Sequence, residues 1–258
     1  MKIIVCVKQV PENDSVKIDP KTNDMVRTGA QGVMNPFDRN AIETALELKE
    51  KNGGQVILLI MGPDSFTEVL RDGLAMGADS AYLLSSKEFG GADTLATAYT
   101  LVAGIKKIGK PDVILFGRQS EDADTGQVGP IVAEDLNIPQ ATFATKVETI
   151  SATTLEVDRD LESSIQKVEI KLPAEITVRS EINFPRYETP INIVKSFDKP
   201  LTIWNEKDLN VDPDKIGKKG SQTIVTKVYA PKKETKQVKF LSKKAGDAAK
   251  TIINELDL

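Results

Sequence analysis

Histidine is absent from the 258-residue chain, and Cys6 is its only cysteine. These absences exclude Ser-His and Cys-His nucleophilic catalysis, a histidine general base, and zinc or iron held by histidine. They also exclude an internal disulfide and a four-cysteine iron–sulfur cluster held by this chain alone. Any redox or group-transfer chemistry must therefore come from a bound organic cofactor. Excess positive charge is missing too: 34 basic against 38 acidic residues give a net charge of −4, which offers nucleic-acid binding no support. No apolar run approaches the roughly 18 residues of a membrane span. The opening "MKIIVCVKQVP" has no small-residue cleavage site and reads as a first β-strand rather than a signal peptide. With a single cysteine placed in that strand, a reducing cytoplasm is the expected location.

Apolar residues make up 40% and charged residues 28% of the chain, ordinary for a soluble globular protein. The apolar runs "KIIVCV" (2–7), "QVILLIM" (55–61), "AYLL" (81–84) and "PDVILFG" (111–117) read as buried strands. Between and after them lie helical patterns: 38–51 opened by Asp38, 64–77 capped by Asp64 or Ser65, 93–109 capped by Asp93, and one beginning at 125. Strands alternating with such helices predict a doubly wound, mainly parallel α/β sheet, Rossmann-like in its alternation, with ligands expected beyond the carboxyl ends of its strands. From about residue 140, four short β-rich runs ending in "AEITVRSE" predict added antiparallel hairpins on or beside that sheet. Residues 183–200 show little periodicity, and a terminal amphipathic helix follows the lysine-rich linker "APKKETK". Residues 1–182 are thus expected to form an α/β domain that includes the hairpins, and 183–258 a loop, linker and extended C-terminal arm of the kind that is functional or wraps a partner. There is no internal repeat.

The stretch "GRQSEDADTGQVG" (117–129) joins the fourth strand to the fourth helix. On residue types alone, two readings stand. Ser120, Asp122 and Asp124 either merely cap and solvate the helix entrance, or amides around Thr125 to Gly129 hold a phosphate while the carboxylates face ribose hydroxyls or a purine amine. It matches neither GxGxxG nor a Walker lysine motif. "GGADTLAT" (90–97) offers a second helix start, an ordinary N-cap or a place of close approach by a ligand. In "MNPFDRN" (34–40), Phe37 is either a staple into the core or an aromatic exposed to a planar cofactor.

Taken in order, "VCVKQVP", "VMNPFDRNAIE", "LAMGAD", "GRQSEDADTGQVG", "VDRDLESSIQKVEIKLPAEITVRSE" and "NFPRYETPINIVK" resemble the β subunit of electron transfer flavoproteins. The resemblance covers most of the chain. It implies an adenine-nucleotide-binding α/β fold paired with an α subunit, which contributes most of the site of an electron-shuttling FAD. Simple members of the family bury AMP in the β subunit. In electron-bifurcating members a second FAD takes hydride from NADH, then passes one electron to ferredoxin or flavodoxin and the other, through the shuttling FAD, to a flavin-dependent dehydrogenase. "GGADTLATA" and "TGQVGP" look like the bifurcating group. By resemblance, Cys6, Asn35, Pro36, Phe37, Asp38, Met61, Gln119, Asp122, Asp124, Thr125, Gln127, Val128, Gly129 and Pro130 would hold FAD, or AMP in the alternative. Gly91, Ala92, Asp93, Thr94 and Thr97 would line the approach of NADH. Where the family commonly has leucine before proline in its partner-recognition loop, this chain reads "ETPINI", leaving Pro190 and Ile191 to contact the dehydrogenase. A stress-protein-like ATP-binding module shares the architecture, but the segments after residue 140 speak against it.

Overall fold

A computed structural model of the chain describes residues 1–12, 17–18, 25–26, 32–226, 240–241 and 243–256. In chain order the strands are β1 (Lys2–Cys6), β2 (Gln9–Pro11), β3 (Lys17–Ile18), β4 (Met25–Val26), β5 (Gly32–Met34), β6 (Gln55–Met61), β7 (Ser80–Leu84), β8 (Val113–Gly117), β9 (Gln140–Ser151), β10 (Thr154–Asp160), β11 (Ile165–Lys171), β12 (Ala174–Val178) and β13 (Leu201–Trp204). The helices are α1 (Pro36–Asn52), α2 (Thr67–Met76), α3 (Thr94–Ile108), α4 (Val128–Leu136), α5 (Pro190–Ser196), α6 (Glu206–Leu209), α7 (Gly217–Gly220) and α8 (Ala245–Glu255).

Nine of these strands form one sheet in the order β11-β10-β9-β12-β8-β1-β6-β7-β13. Pairing is parallel from β9 across to β13, and antiparallel only where β10 meets β9 and β11. The chain runs outward from β1 through β6 to β7, then returns to place β8 on the other side of β1. That reversal opens a crevice beyond the carboxyl ends of β1 and β8. Helices α1 and α2 bury Ile42, Leu46, Leu70 and Leu74 against Ile3, Val5, Leu58 and Ile60 on one face. On the other, Leu101, Ile105 and Val132 pack on Ile4, Leu59 and Phe116. Each fully buried side chain of this size contributes roughly 1.5–3 kcal/mol. Among the described residues, no helix is long and apolar enough to cross a membrane.

Several local expectations change. Helix α1 starts at Pro36 rather than at Asp38, because proline's fixed φ and missing N–H suit a first helical position. Asp38 therefore lies inside the first turn and caps nothing. Asp64 opens a 3₁₀ turn (Asp64–Phe66) ahead of α2, and neither it nor Ser65 caps that helix. Instead the Asp64 carboxylate accepts the Ser85 hydroxyl at 2.6 Å. The run "AEITV", expected in an antiparallel hairpin, is the inner parallel strand β12 between β8 and β9, with all five residues buried. Glu175, its second residue, disguises the continuous burial typical of a parallel strand.

Residues 183–200 are also more ordered than their lack of periodicity predicts. Asn183 donates to Asn40 O (3.1 Å) and Thr44 Oγ1 (2.9 Å), and Arg186 grips Glu43 (2.8 Å) and Glu50 (2.6 Å), strapping the segment onto α1. Thr189 then caps α5, with Pro190 at its start. The C-terminal helix forms as α8 with no buried side chain, while the linker "APKKETK" lies outside the described residues.

Candidate functional site

Glycine at position 117 lets α1 and β8 meet. A Cβ there would lie 2.4 Å from Asp38 Oδ1 and 2.7 Å from Phe37 Cβ. With that space open, buried Asp38 accepts the amides of Lys8 (2.7 Å) and Gly117 (3.1 Å), tying α1 to the ends of β1 and β8. Burial pushes the Asp38 carboxyl up to about 7, against the lowering effect of these hydrogen bonds. Asn35, also buried, donates to Gln119 O at 2.8 Å and accepts the Glu121 amide at 3.2 Å. The loop after β8 is thus anchored from beneath.

Above that anchor the chain reverses. Asp124 (φ 52°) and Gly126 (φ 59°) are left-handed, and the Asp124 amide donates to Ser120 O at 2.8 Å. The carboxylates turn to donors of this chain's own. Lys8 Nζ lies 2.5 Å from Asp122 and 3.1 Å from Ser120 Oγ, while Gln119 Nε2 donates to Asp124 at 2.7 Å. None of Ser120, Asp122 and Asp124 caps α4, and its N-cap residue, Gln127, makes no side-chain cap. Among the described residues, no protein acceptor takes the amides of Thr125, Gly126, Gln127, Val128 or Gly129. Thr125, Gly126 and Gln127 are exposed. This is an open helix N-terminus, with unpaired donors and the positive end of the helix dipole directed outward.

The loop after β7 is built differently. Asp93 caps α3 with 3.0 Å bonds from the Leu95 and Ala96 amides. Its second oxygen accepts the amides of Gln222 (2.8 Å) and Thr223 (3.0 Å) and the Thr223 hydroxyl (3.1 Å). Partial burial raises this carboxyl, but the amides of Ala96, Thr223 and Gln222 and the Thr223 hydroxyl outweigh it and hold its pKa below the usual range. Gly91 (φ 72°) faces the Lys218 side chain, and Ser221 Oγ receives the Asp93 amide at 2.8 Å. Residues 217–223 therefore lie over Gly91 and Asp93. Thr94 reaches the other loop, donating to Gln127 Oε1 at 3.0 Å.

The structure thus brings most of the expected nucleotide residues together beyond the carboxyl ends of the central strands. Cys6 and Met61 end β1 and β6. Burial, reinforced by Asp38 and Glu175, pushes the Cys6 thiol well up, so it sits there as a small neutral group. Pro36 is exposed, and Phe37 is half-exposed and joins neither hydrophobic cluster, so it is not a core staple. Val128, Gly129 and Pro130 form the first turn of α4. Ala92 and Thr97 flank Asp93, half-buried. Pro190 and Ile191 lie apart from this cluster on α5, which packs on α2. There Ile191 is 66% exposed, in a segment that also exposes Phe184, Tyr187, Val194 and Phe197.

Sequence reasoning missed three contributors. Lys8 neutralises Asp122 across 114 positions, and residues 222–223 reach Asp93 across about 130. No local pattern carries either contact. Glu175 is fully buried below α4, and neither of its carboxyl oxygens has a hydrogen-bond partner among the described residues.

The family model described as "Electron transfer flavoprotein domain" matches residues 22–209. The chain is 45% identical over 232 residues to the caffeyl-CoA reductase-Etf complex subunit CarD of Acetobacterium woodii, covering 90% of this chain and 88% of that protein. It is 44% identical over 257 residues to the electron transfer flavoprotein subunit beta of Clostridium acetobutylicum, covering 99% and 98%. Protein FixA of Azorhizobium caulinodans is 39% identical over 238 residues, covering 90% and 85%.

Proposed function

We propose, from the premise that this chain belongs to the electron transfer flavoprotein family as one of its β subunits, that its open helix end at α4 holds the diphosphate of an FAD. The observation that supports this is the run of unpaired amides from Thr125 to Gly129, beside carboxylates already matched by Lys8 and Gln119. The donor set fits the group: an anion meets N–H donors, and Asp122 and Asp124 remain at the rim to accept from ribose or adenine. A flavin held there supplies two-electron acceptance from a dihydronicotinamide and single-electron donation onward.

The protein's own part is to bind and orient. Asn35 and Asp38 fix the loop's height, and half-exposed Phe37 lies beside Gly117 at the end of β8. NADH approaches past Ala92, Thr94 and Thr97. Gly91 and Asp93 support that approach from beneath residues 217–223 rather than by direct contact, since Asp93 already accepts from its own chain. The partners this reading implies are ferredoxin or flavodoxin, an α subunit that would hold its own FAD, and a flavin-dependent dehydrogenase that would receive electrons by way of it. A similarly sized relative named as a subunit of a reductase–Etf complex supports that class of partner. The exposed apolar side chains on and around α5, Ile191 among them, support docking of the dehydrogenase there. Residues 1–182 serve the nucleotide and 183–258 the partners, with residues 217–223 also covering the NADH side, in the cytoplasm.

Acid extraction of the purified αβ heterodimer tests this. About two FAD per heterodimer are expected; one FAD with one AMP would reduce the β-subunit ligand to a structural nucleotide and end the bifurcation reading.

A further inference from the structure

Glu175 lies in the middle of the sheet with 0% exposure, and both of its carboxyl oxygens lack hydrogen-bond partners among the described residues. Residues Ala174, Ile176 and Val178 of β12 face the α1 side. Glu175 and Thr177 therefore face the α4 side. A Cβ added to Gly129 would lie 2.5 Å from Glu175 Oε1, 3.0 Å from Thr177 Cγ2 and 3.2 Å from Phe116 Cδ2. The carboxyl thus presses against the first turn of α4, and Gly129 is the residue that admits it.

We propose that Glu175 is a positioning residue of the anion site at the head of α4: as a neutral acid it supports the first turn, and on ionising it weakens the hold on a nucleotide diphosphate. The proposal rests on the reading that loop 117–129 takes such a ligand. The positive end of α4 is a single resource, and a negative charge beneath it competes with one above it. Burial without a partner makes the charged form costly, and it moves the Glu175 carboxyl up to about 8, with burial as the only cause. Glu134 and Asp135 of α4 are exposed, and among the described residues neither they nor Lys146 and Glu148 of β9 shift it, while β8 carries no charged residue. The titratable groups nearby are the Cys6 thiol of β1, which feels both acids, and Asp38 of α1, held by the Lys8 and Gly117 amides and titrating at about 7.

The sign follows from the raised value. The folded state keeps the proton that an unfolded glutamate releases near its ordinary 4.5. Stability linked to Glu175 is therefore full below that value and is lost as pH rises through about 8. Linkage is reciprocal, so a bound anion favours the protonated acid and alkaline pH disfavours the anion.

The test titrates nucleotide-depleted αβ heterodimer with FAD and with AMP from about pH 6 to about 9.5, comparing native protein with Glu175→Gln. Native affinity is expected to fall on the order of tenfold between about pH 7 and 9, while Glu175→Gln stays nearly flat there. Any slope centred on Asp38 remains in both. Thermal melting without nucleotide reports the ionisation itself: native protein should lose stability relative to Glu175→Gln over the same range. Equal falls in both proteins, or a flat response in native protein, overturn the proposal. Gly126→Val separates it from its premise. That variant should weaken binding at every pH, and undiminished binding would remove the loop as the ligand site and the proposal with it.

Discussion

The turns after β7 and β8 meet through the Thr94–Gln127 hydrogen bond, yet they treat their helix N-termini in opposite ways. After β7, Asp93 closes the end of α3 and also clasps residues 222–223 of the same chain. After β8, no side chain closes α4, and the acids nearby are paired sideways to Lys8 and Gln119. Both stretches are rich in glycine and aspartate at a strand's carboxyl end, so composition alone makes them equivalent. What separates them is where each aspartate's acceptor capacity goes. An N-terminus whose acids are engaged elsewhere is available to a ligand; one whose acid is the cap is part of the scaffold.

Three substitutions probe that contrast. Gly129→Ala strikes the open turn hardest, because its methyl group would meet Glu175, Thr177 and Phe116. A loss of about 2–3 kcal/mol is expected, together with loss of bound nucleotide, read by melting and by flavin absorbance. Asp93→Ala should cost about 1–2 kcal/mol through the lost cap. It should also speed tryptic cleavage at Lys218 and Lys219 as residues 221–223 come free, with nucleotide content unchanged. Nucleotide lost equally in both variants would merge the two turns into one site and collapse the distinction. Lys8→Ala is the mildest: the pair with Asp122 is partly exposed, so stability should move by less than about 1 kcal/mol. Nucleotide affinity should still fall several-fold if the diphosphate sits where proposed, since Asp122 is left unneutralised there; unchanged affinity would show that the pairing is irrelevant to the ligand.

Much of this architecture is legible in the residues. The apolar runs of β1, β6, β7 and β8 and the Asp93 cap of α3 follow from composition and spacing, and all appear where those signals place them. The edge strand β13 and helix α5 were hidden in a proline-containing stretch, although Thr189-Pro190 is itself a helix-start signal. Strand β12 was obscured by one charged residue in an apolar run, because a sequence does not tell whether a glutamate is solvated or buried. The site was legible in its residue types but not in its electrostatics. The Lys8–Asp122 pair, the Asn35 anchor and the clasp on Asp93 each join segments about 85 to 130 positions apart, beyond any local pattern.

Position 129 and position 175 divide one side chain's worth of room between a helix and a strand: α4 can sit this low on the sheet because one partner gives up its side chain entirely and the other fills the gap. The two sites are therefore not free to drift independently. A larger residue at 129 is tolerable only with a shorter one at 175, and such an exchange would trade a proton-binding joint for an inert apolar one while leaving the backbone where it is.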